Sequence, residues 1–498
     1  MMYLELATLA VTLFIVYHLF FEFREGNLPP GPRPLPLIGN LNLLSNQMHL
    51  DFAALEKTYG KIFRVYLAHK PIIVLSGDAI KEALVRQPRN FAGRPLLPIT
   101  EEIVDKRWGP ALFAMDYGER WRIFRKLGHS TIKVYGEDRL QEVINEEVSE
   151  LCKRLEESDE KPIDITKQFG TAVTNVICTK IFGNRYDIND PEFQRLYYIN
   201  DKSTRLNIGE GWLKEAFPIL KPFLPYSQHV KEIKELGQER FVIMRAKYDE
   251  HVETFDPNHI RDYTDALLKA KQEAEEEDKS SKEHFGEGPI IMAGLATLFL
   301  AGSETTTTTL SWAIAYLLHN PGVQARLHKE IDQVIGRDVS PKLSQRKNLP
   351  VLEAFTAETQ RLSNLLPLSL PHKTASDCTL LGYEIAKGTT VFTNLWSLHH
   401  DPSIWKEPDT FNLDRFLDAE GKFQAPVGGT FLPFGAGPRV CLGEVLARSE
   451  LFLFLATLLQ HFEFVNPPGY PLPSLEGDMG VVLHPKPFTV CVRKRRDE

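Results

Sequence analysis

The chain is poor in cysteine, and what it has is unpaired. Five cysteines are scattered over 498 residues, at Cys152, Cys178, Cys378, Cys441 and Cys491. An odd, sparse set excludes a disulfide scaffold and points to a reducing compartment. Around Cys441 no second cysteine or histidine stands at ligand spacing, which excludes a zinc site there. An excess of positive charge is also lacking. The formal net charge is -8, against wholesale binding of nucleic acid. There is no internal repeat. The glycine-rich stretch before Cys441 lacks the Lys-Ser/Thr that follows a phosphate loop.

What is present is an ordinary globular composition, 43% hydrophobic and 25% charged, with ample length for a large core. Length alone would allow two or more domains. Tyr3 to Phe23 is nearly all apolar, with Glu5, His18 and Glu22 near its ends. As a helix it would run roughly 30 Å, about the thickness of a bilayer core. A cleaved leader would want a basic start and a small-residue cleavage site, and neither is evident. The first basic residues, Arg24 and Arg33, follow the run, which would leave the body of the chain in the cytosol. A buried core helix is the alternative. Leu28 to Pro36 is dense in proline, so it reads as a stiff connector. Ile62–Leu67 and Ile72–Leu75 read as short strands, and most of the rest as helix. A mainly helical body with a small sheet is expected. Lys269 to Lys282 is a charged stretch read as a solvated linker or helix end.

Two stretches carry chemistry. The first runs Phe434-Gly435-Ala436-Gly437-Pro438-Arg439-Val440-Cys441-Leu442-Gly443. Its three glycines and proline bend it, and an apolar helical run follows. A cysteine at a helix start is expected to favour the thiolate, and Arg439 adds a cation nearby. Such a thiolate could be a nucleophile, an axial ligand to haem iron with Arg439 facing an anionic propionate, or a buried structural cysteine. The second is Ala301-Gly302-Ser303-Glu304-Thr305-Thr306, inside the long apolar run Ile290 to Leu318. Gly302 and the hydroxyls are expected to kink or widen the helix. An acid and an alcohol in such a helix are costly unless used, so a polar patch facing a cavity is expected. Trp121 and Arg125, four apart, place two donors on one helical face. Glu358 and Arg361 are spaced as an ordinary surface pair.

Phe434 to Gly443 matches Phe-x-x-Gly-x-Arg-x-Cys-x-Gly in full and resembles the haem-thiolate loop of the cytochrome P-450 monooxygenases. Trp121-x-x-x-Arg125, Ala-Gly-x-Glu-Thr at Ala301 to Thr305, Glu358-x-x-Arg361 and Pro371-His372-Lys373 resemble further elements of that family, in its order. The resemblance implies a mainly α fold with a small β region, the cytochrome P-450 fold, behind an N-terminal transmembrane helix. It implies an anchor over 1–25, a hinge over 26–36 and a haem-thiolate domain over 37–498. Cys441 would ligate the iron of haem b, next to Phe434 of the loop. Arg439, Arg94, Trp121, Arg125 and His372 would contact its propionates. Ala301 and Gly302 would leave room for oxygen, and Glu304 and Thr305 would carry protons to it. Glu358, Arg361 and Arg415 would form a buried structural triad. Leu413 and Asn364 stand where the family usually has proline.

The stretches Leu472 to Leu483, Asn394 to His400 and Leu432 to Glu444 resemble the 17-alpha-hydroxylating steroid branch of the family. This implies a small apolar, steroid-like substrate oxidised with O2 and touched by Ala301, Leu366 and Val482. A broad xenobiotic or fatty-acid hydroxylase is the alternative, as is a haem protein that binds ligand without turnover. Implied partners are NADPH–cytochrome P-450 reductase and, as a second candidate, cytochrome b5, at the endoplasmic reticulum membrane. Arg122, Lys126 and Arg448 would meet the reductase. No nucleic-acid partner is implied.

Overall fold

The computed structural model describes residues 2–21, 27–96, 111–131, 136–205, 223, 225–277, 289–426 and 428–495. The end of the expected charged linker, 278–282, lies outside them. The long helices are α1 (Met2–Phe21), α2 (Met48–Tyr59), α3 (Glu119–Thr131), α4 (Gly136–Glu157), α5 (Ile165–Phe182) and α6 (Pro191–Thr204). They continue as α7 (Gln228–Thr254), α8 (Tyr263–Glu277), α9 (Pro289–His319), α10 (Pro321–Val334), α11 (Pro350–Ser363) and α12 (Glu444–His461). Their ends follow from local chemistry. Asp164 caps α5 by accepting from the Lys167 N–H, and Gly183 ends that helix in the left-handed region. Asp190 caps α6 ahead of Pro191, and α11 starts on Pro350.

The strands are β1 (Ile62–Leu67), β2 (Lys70–Leu75), β3 (His372–Lys373), β4 (Cys378–Leu380), β5 (Tyr383–Ile385), β6 (Thr390–Thr393), β7 (Phe462–Val465), β8 (Gly477–Met479), β9 (Leu483–Pro485) and β10 (Cys491–Lys494). The largest sheet has the order β1-β2-β6-β3. β1 and β2 pair antiparallel, Ile62 opposite Leu75, while β2 and β6 run parallel. Thus the strands expected at Ile62–Leu67 and Ile72–Leu75 form the first hairpin. β7 pairs with β10, β4 with β5 and β8 with β9.

The main core lies where α4, α5, α9, α10, α11 and α12 meet, around Phe169, Leu310, Phe355 and Phe452. α12 is apolar nearly all round, and Ser449 to Gln460 is buried throughout. α9 crosses the molecule's middle, packed on α5. It stays an α-helix across Ala301 to Thr306. The expected widening is not seen there. The hydroxyls of Thr305, Thr307 and Thr309 instead donate to the carbonyls four residues back, which adds a bond without displacing the ladder.

α1 is helical over the expected apolar run, and Leu6, Leu9, Val11 and Phe14 on it are exposed. Among the described residues, no helix is long and apolar enough to cross a membrane.

Candidate active site

The loop before α12 is closed by its own backbone. The Cys441 N–H donates to the Phe434 carbonyl at 2.9 Å. Gly437 has a φ of 69°, and a Cβ there would lie 2.2 Å from the Leu84 carbonyl oxygen. Only glycine fits. Phe434 also lies under Arg448, whose guanidinium carbon is 4.8 Å from the ring centroid.

Cys441 is exposed and sits two residues ahead of Gly443, the N-cap of α12. It is therefore outside the first helical turn. The residue keeps an accessible surface, but the protein packed around it desolvates the sulfur and raises the thiol pKa. The Gly443 N–H and Arg125 pull it down, but burial wins. The expectation that helix position alone favours thiolate is corrected accordingly. Cys491, by contrast, is buried in β10, opposite Val465 of β7.

A cluster of cations stands beside the loop. Arg439 donates to the carbonyls of Ala92 and Met115, each at 2.8 Å, and its guanidinium lies 4.3 Å from the Trp121 ring centroid. Arg94 is buried and donates to the carbonyls of Phe113, Leu370 and Pro371. Burial, and then Arg439, push the Arg94 pKa down to about 9. Burial pushes Arg439 down to about 10. Among the described residues, neither guanidinium has a carboxylate as a hydrogen-bond partner. Arg125, on the same face of α3 as Trp121, donates to the Val440 carbonyl. Two mutually repelling cations, one of them in the loop that carries Cys441, fit an anionic group, and the propionate edge of a haem has that character.

His372 is held by backbone. Its Nδ1 lies 2.7 Å from the Phe91 carbonyl, so Nδ1 carries the proton. Burial and Arg94 push its pKa down to about 3, so the ring is neutral. His372 holds the Phe91–Arg94 strap against β3. Asp116 knits the same strap, accepting from the Arg94 N–H at 3.0 Å and pairing with Lys373.

On α9, Ala301 is exposed, while Gly302 and Thr305 are half-buried. Ala301 and Thr305 share one open face, and the Thr305 hydroxyl donates to the Ala301 carbonyl at 2.7 Å. Gly302 faces α5: a Cβ there would lie 2.6 Å from Ile177 Cδ1. Its missing side chain makes room for a helix rather than for oxygen. Glu304 is not joined to Thr305. It is buried, accepts from Thr308 at 3.3 Å, and lies 3.4 Å from His484 Nδ1. Burial, then Asp201, push its pKa up to about 7, against the pull of Arg205.

Three segments meet beside this face of the molecule. The Leu483 N–H donates to the Leu365 carbonyl, and the Val481 N–H to that of Thr204 at the end of α6. This brings the neighbourhoods of Leu366 and Val482 together next to α9, where Trp312 Nε1 donates to the Leu483 carbonyl. Leu366 is half-buried and Val482 is buried. Asn364 ends α11 at a φ of 37°, which a proline ring could not adopt.

The triad is assembled. Glu358 accepts from Arg361 at 2.7 and 2.8 Å, and from Arg415 at 3.3 Å. Both members of the Glu358–Arg361 pair are fully buried. Arg361 also donates to the His399 carbonyl at 2.7 Å, and His399 Nε2 accepts from the Leu432 N–H at 3.0 Å. His399 and Asp116 were missed because each acts through backbone far away in sequence, which no spacing records.

A haem-thiolate loop, a helix with Ala-Gly-x-Glu-Thr and a buried Glu-Arg-Arg set now stand in one fold. The cytochrome P450 family model matches residues 29–492. The chain belongs to the cytochrome P450 family. It is 38% identical over 476 residues to "Steroid 17-alpha-hydroxylase/17,20 lyase" of Ictalurus punctatus, covering 95% of this chain and 92% of the relative. It is 37% identical to "Cytochrome P450 2U1" of Rattus norvegicus, with the same coverage of 95% and 92%. To "Cytochrome P450 1A1" of Chelon auratus it is 36% identical, covering 98% and 96%. As a P450 the chain is a haem-dependent monooxygenase, and its haem is held by a cysteine thiolate. The non-catalytic ligand-binding alternative falls with that membership.

Proposed function

We propose that Cys441 is the thiolate ligand of the haem, and that the enzyme hydroxylates a steroid-like apolar substrate at the endoplasmic reticulum membrane. The observation that carries the ligand assignment is an exposed Cys441 two residues after Arg439 in a loop gripped by Arg125, with Arg94 and Arg439 bonded only to carbonyls among the described residues. Cys491 is buried in β10 instead. When bound, the haem supplies the activation of oxygen and the oxidation of a C–H bond.

The chain's own residues do the rest. Arg94, Arg439 and Trp121 orient the group's anionic edge, with Arg125 fixing the Val440 carbonyl beside the ligand. Thr305 Oγ1 lies on the open face of α9, where it can accept from water while donating to Ala301. Glu304, with its pKa near 7, can hold or release a proton at working pH. Its carboxyl faces Thr308 and His484, so protons pass to Thr305 by a side-chain swing or through water. Glu358, Arg361 and Arg415 hold the core, and His399 links that set to Leu432 at the base of the cysteine loop.

Electrons come from NADPH through a flavoprotein reductase, with cytochrome b5 as a second candidate donor. α1 is the proposed membrane contact, through its exposed Leu6, Leu9, Val11 and Phe14. The steroid reading is supported by the relative at 38% identity. The relatives named 2U1 and 1A1, at 37% and 36%, carry no steroid in their names, so a fatty-acid or broad xenobiotic hydroxylase stays as the second reading. NADPH-dependent product formation with purified reductase, over steroids, fatty acids and drugs, separates them. Hydroxylated steroids at the highest kcat/KM are expected. Turnover of fatty acids or drugs alone would overturn the steroid assignment.

A further inference from the structure

Arg240 is a cation that this mechanism leaves unused. It lies on α7 at helical spacing with Ile233, Gly237, Met244 and Tyr248, which are the buried face of that helix. Ile233 packs with Val481, next in the chain to Val482. Met244 packs in the cluster that holds Leu295 and Phe299 of α9, ahead of Ala301. Arg240 therefore stands on the wall of α7 between the β8–β9 turn and α9, the two elements that carry candidate substrate contacts.

The residue is half-buried, but its Nε and Nη1 are out of solvent and make no hydrogen bond among the described residues. Burial alone pushes its pKa down, to about 10, and no acid pulls it back. The other deep guanidiniums are satisfied: Arg361 has Glu358 and the His399 carbonyl, and Arg94 has three carbonyls. Arginine keeps its proton at neutral pH, so the charge stays and is costly unless compensated.

Resting on the monooxygenase reading above, we propose that Arg240 is an anion-binding residue of the substrate site, and that the substrate is an apolar molecule carrying a carboxylate or sulfate. Both anions match the guanidinium fork with two parallel hydrogen bonds. The apolar body lies toward Leu366, Val482 and Ala301, and the anion replaces water against Arg240.

The test uses the haem-loaded full chain and matched pairs: lauric acid with methyl laurate, and a steroid sulfate with its free alcohol. Affinities are read by ligand-induced haem difference spectra and, independently of the haem signal, by calorimetry. The acid member of at least one pair is expected to bind about tenfold or more tighter than its neutral partner. Arg240→Met should abolish that preference while leaving neutral-ligand affinity within about twofold, and Arg240→Lys should retain part of it. A preference confined to the fatty pair names fatty acids, and one confined to the sulfate pair names steroid sulfates. Equal binding within both pairs, or a preference that survives Arg240→Met, overturns the proposal. Loss of the carbon-monoxide band would strike the haem-thiolate reading instead, and calorimetry would still report the anion preference.

Discussion

Gly302 shows how one hydrogen atom sets a helix crossing. The α9 backbone approaches α5 there, and a methyl group would lie 2.6 Å from Ile177 Cδ1. The contact is the far end of a flexible side chain, so Ile177 must turn rather than the helices part. Gly302→Ala is expected to cost about 1–3 kcal/mol in stability, offset by the helix propensity of alanine. The double variant with Ile177→Val should recover part of the loss in thermal unfolding. An unchanged midpoint for the single variant would place Gly302 beside open space after all. Cys441 teaches a related lesson. A cysteine before a helix looked activated in the sequence, yet the backbone puts it ahead of the first turn and burial raises its pKa. A metal bound to the sulfur would favour the thiolate against that burial.

At the scale of elements, the loop that carries Cys441 is held from two sides. Arg125 of α3 grips the Val440 carbonyl, and His399 grips the Leu432 N–H. The outer face of α3 presents Arg122 and Lys126, both exposed and four residues apart. Arg448 pairs with Glu444 at 2.9 Å and covers Phe434, so it offers less to a partner. Reversing Arg122 and Lys126 to Glu should raise the half-saturating reductase concentration several-fold and flatten its salt dependence; Arg448→Glu should do less. Unchanged kinetics in the α3 variant would move the docking face elsewhere. Much at this scale was legible in the sequence. The hairpin at Ile62–Leu75, the long helix at α9, the cysteine loop and the Glu358–Arg361–Arg415 set follow from pattern and from family motif. What was not legible is direction. Spacing put Glu304 beside Thr305, but the helix turns the carboxyl toward Thr308 and His484. Nor did the motif show that a carbonyl from Phe91 fixes the His372 tautomer.

Over the whole molecule, the centre carries acids that resist ionisation. Glu450 of α12 is fully buried, accepts from Thr306 of α9 at 2.8 Å, and is pushed from 4.5 up to about 8 by burial. Glu304 moves the same way, to about 7. On these two carboxyls the folded chain holds protons that the unfolded chain releases, so their contribution to stability falls as pH rises from about 5 to 7.5. Glu450→Gln keeps an acceptor for Thr306 and removes the titration, so its thermal midpoint should fall less over that range than the parent's. An equal fall in both would mean that Glu450 is ionised when buried. Above all, the molecule is organised to hold a haem on one sulfur. The most direct measurement is the carbon-monoxide difference spectrum of the reduced, folded full chain in two variants. Cys441→Ala should lose the band of a thiolate-ligated haem while keeping its helical circular dichroism, and Cys491→Ser should keep that band. Retention of the band by Cys441→Ala, or its loss from a folded Cys491→Ser, would contradict the account.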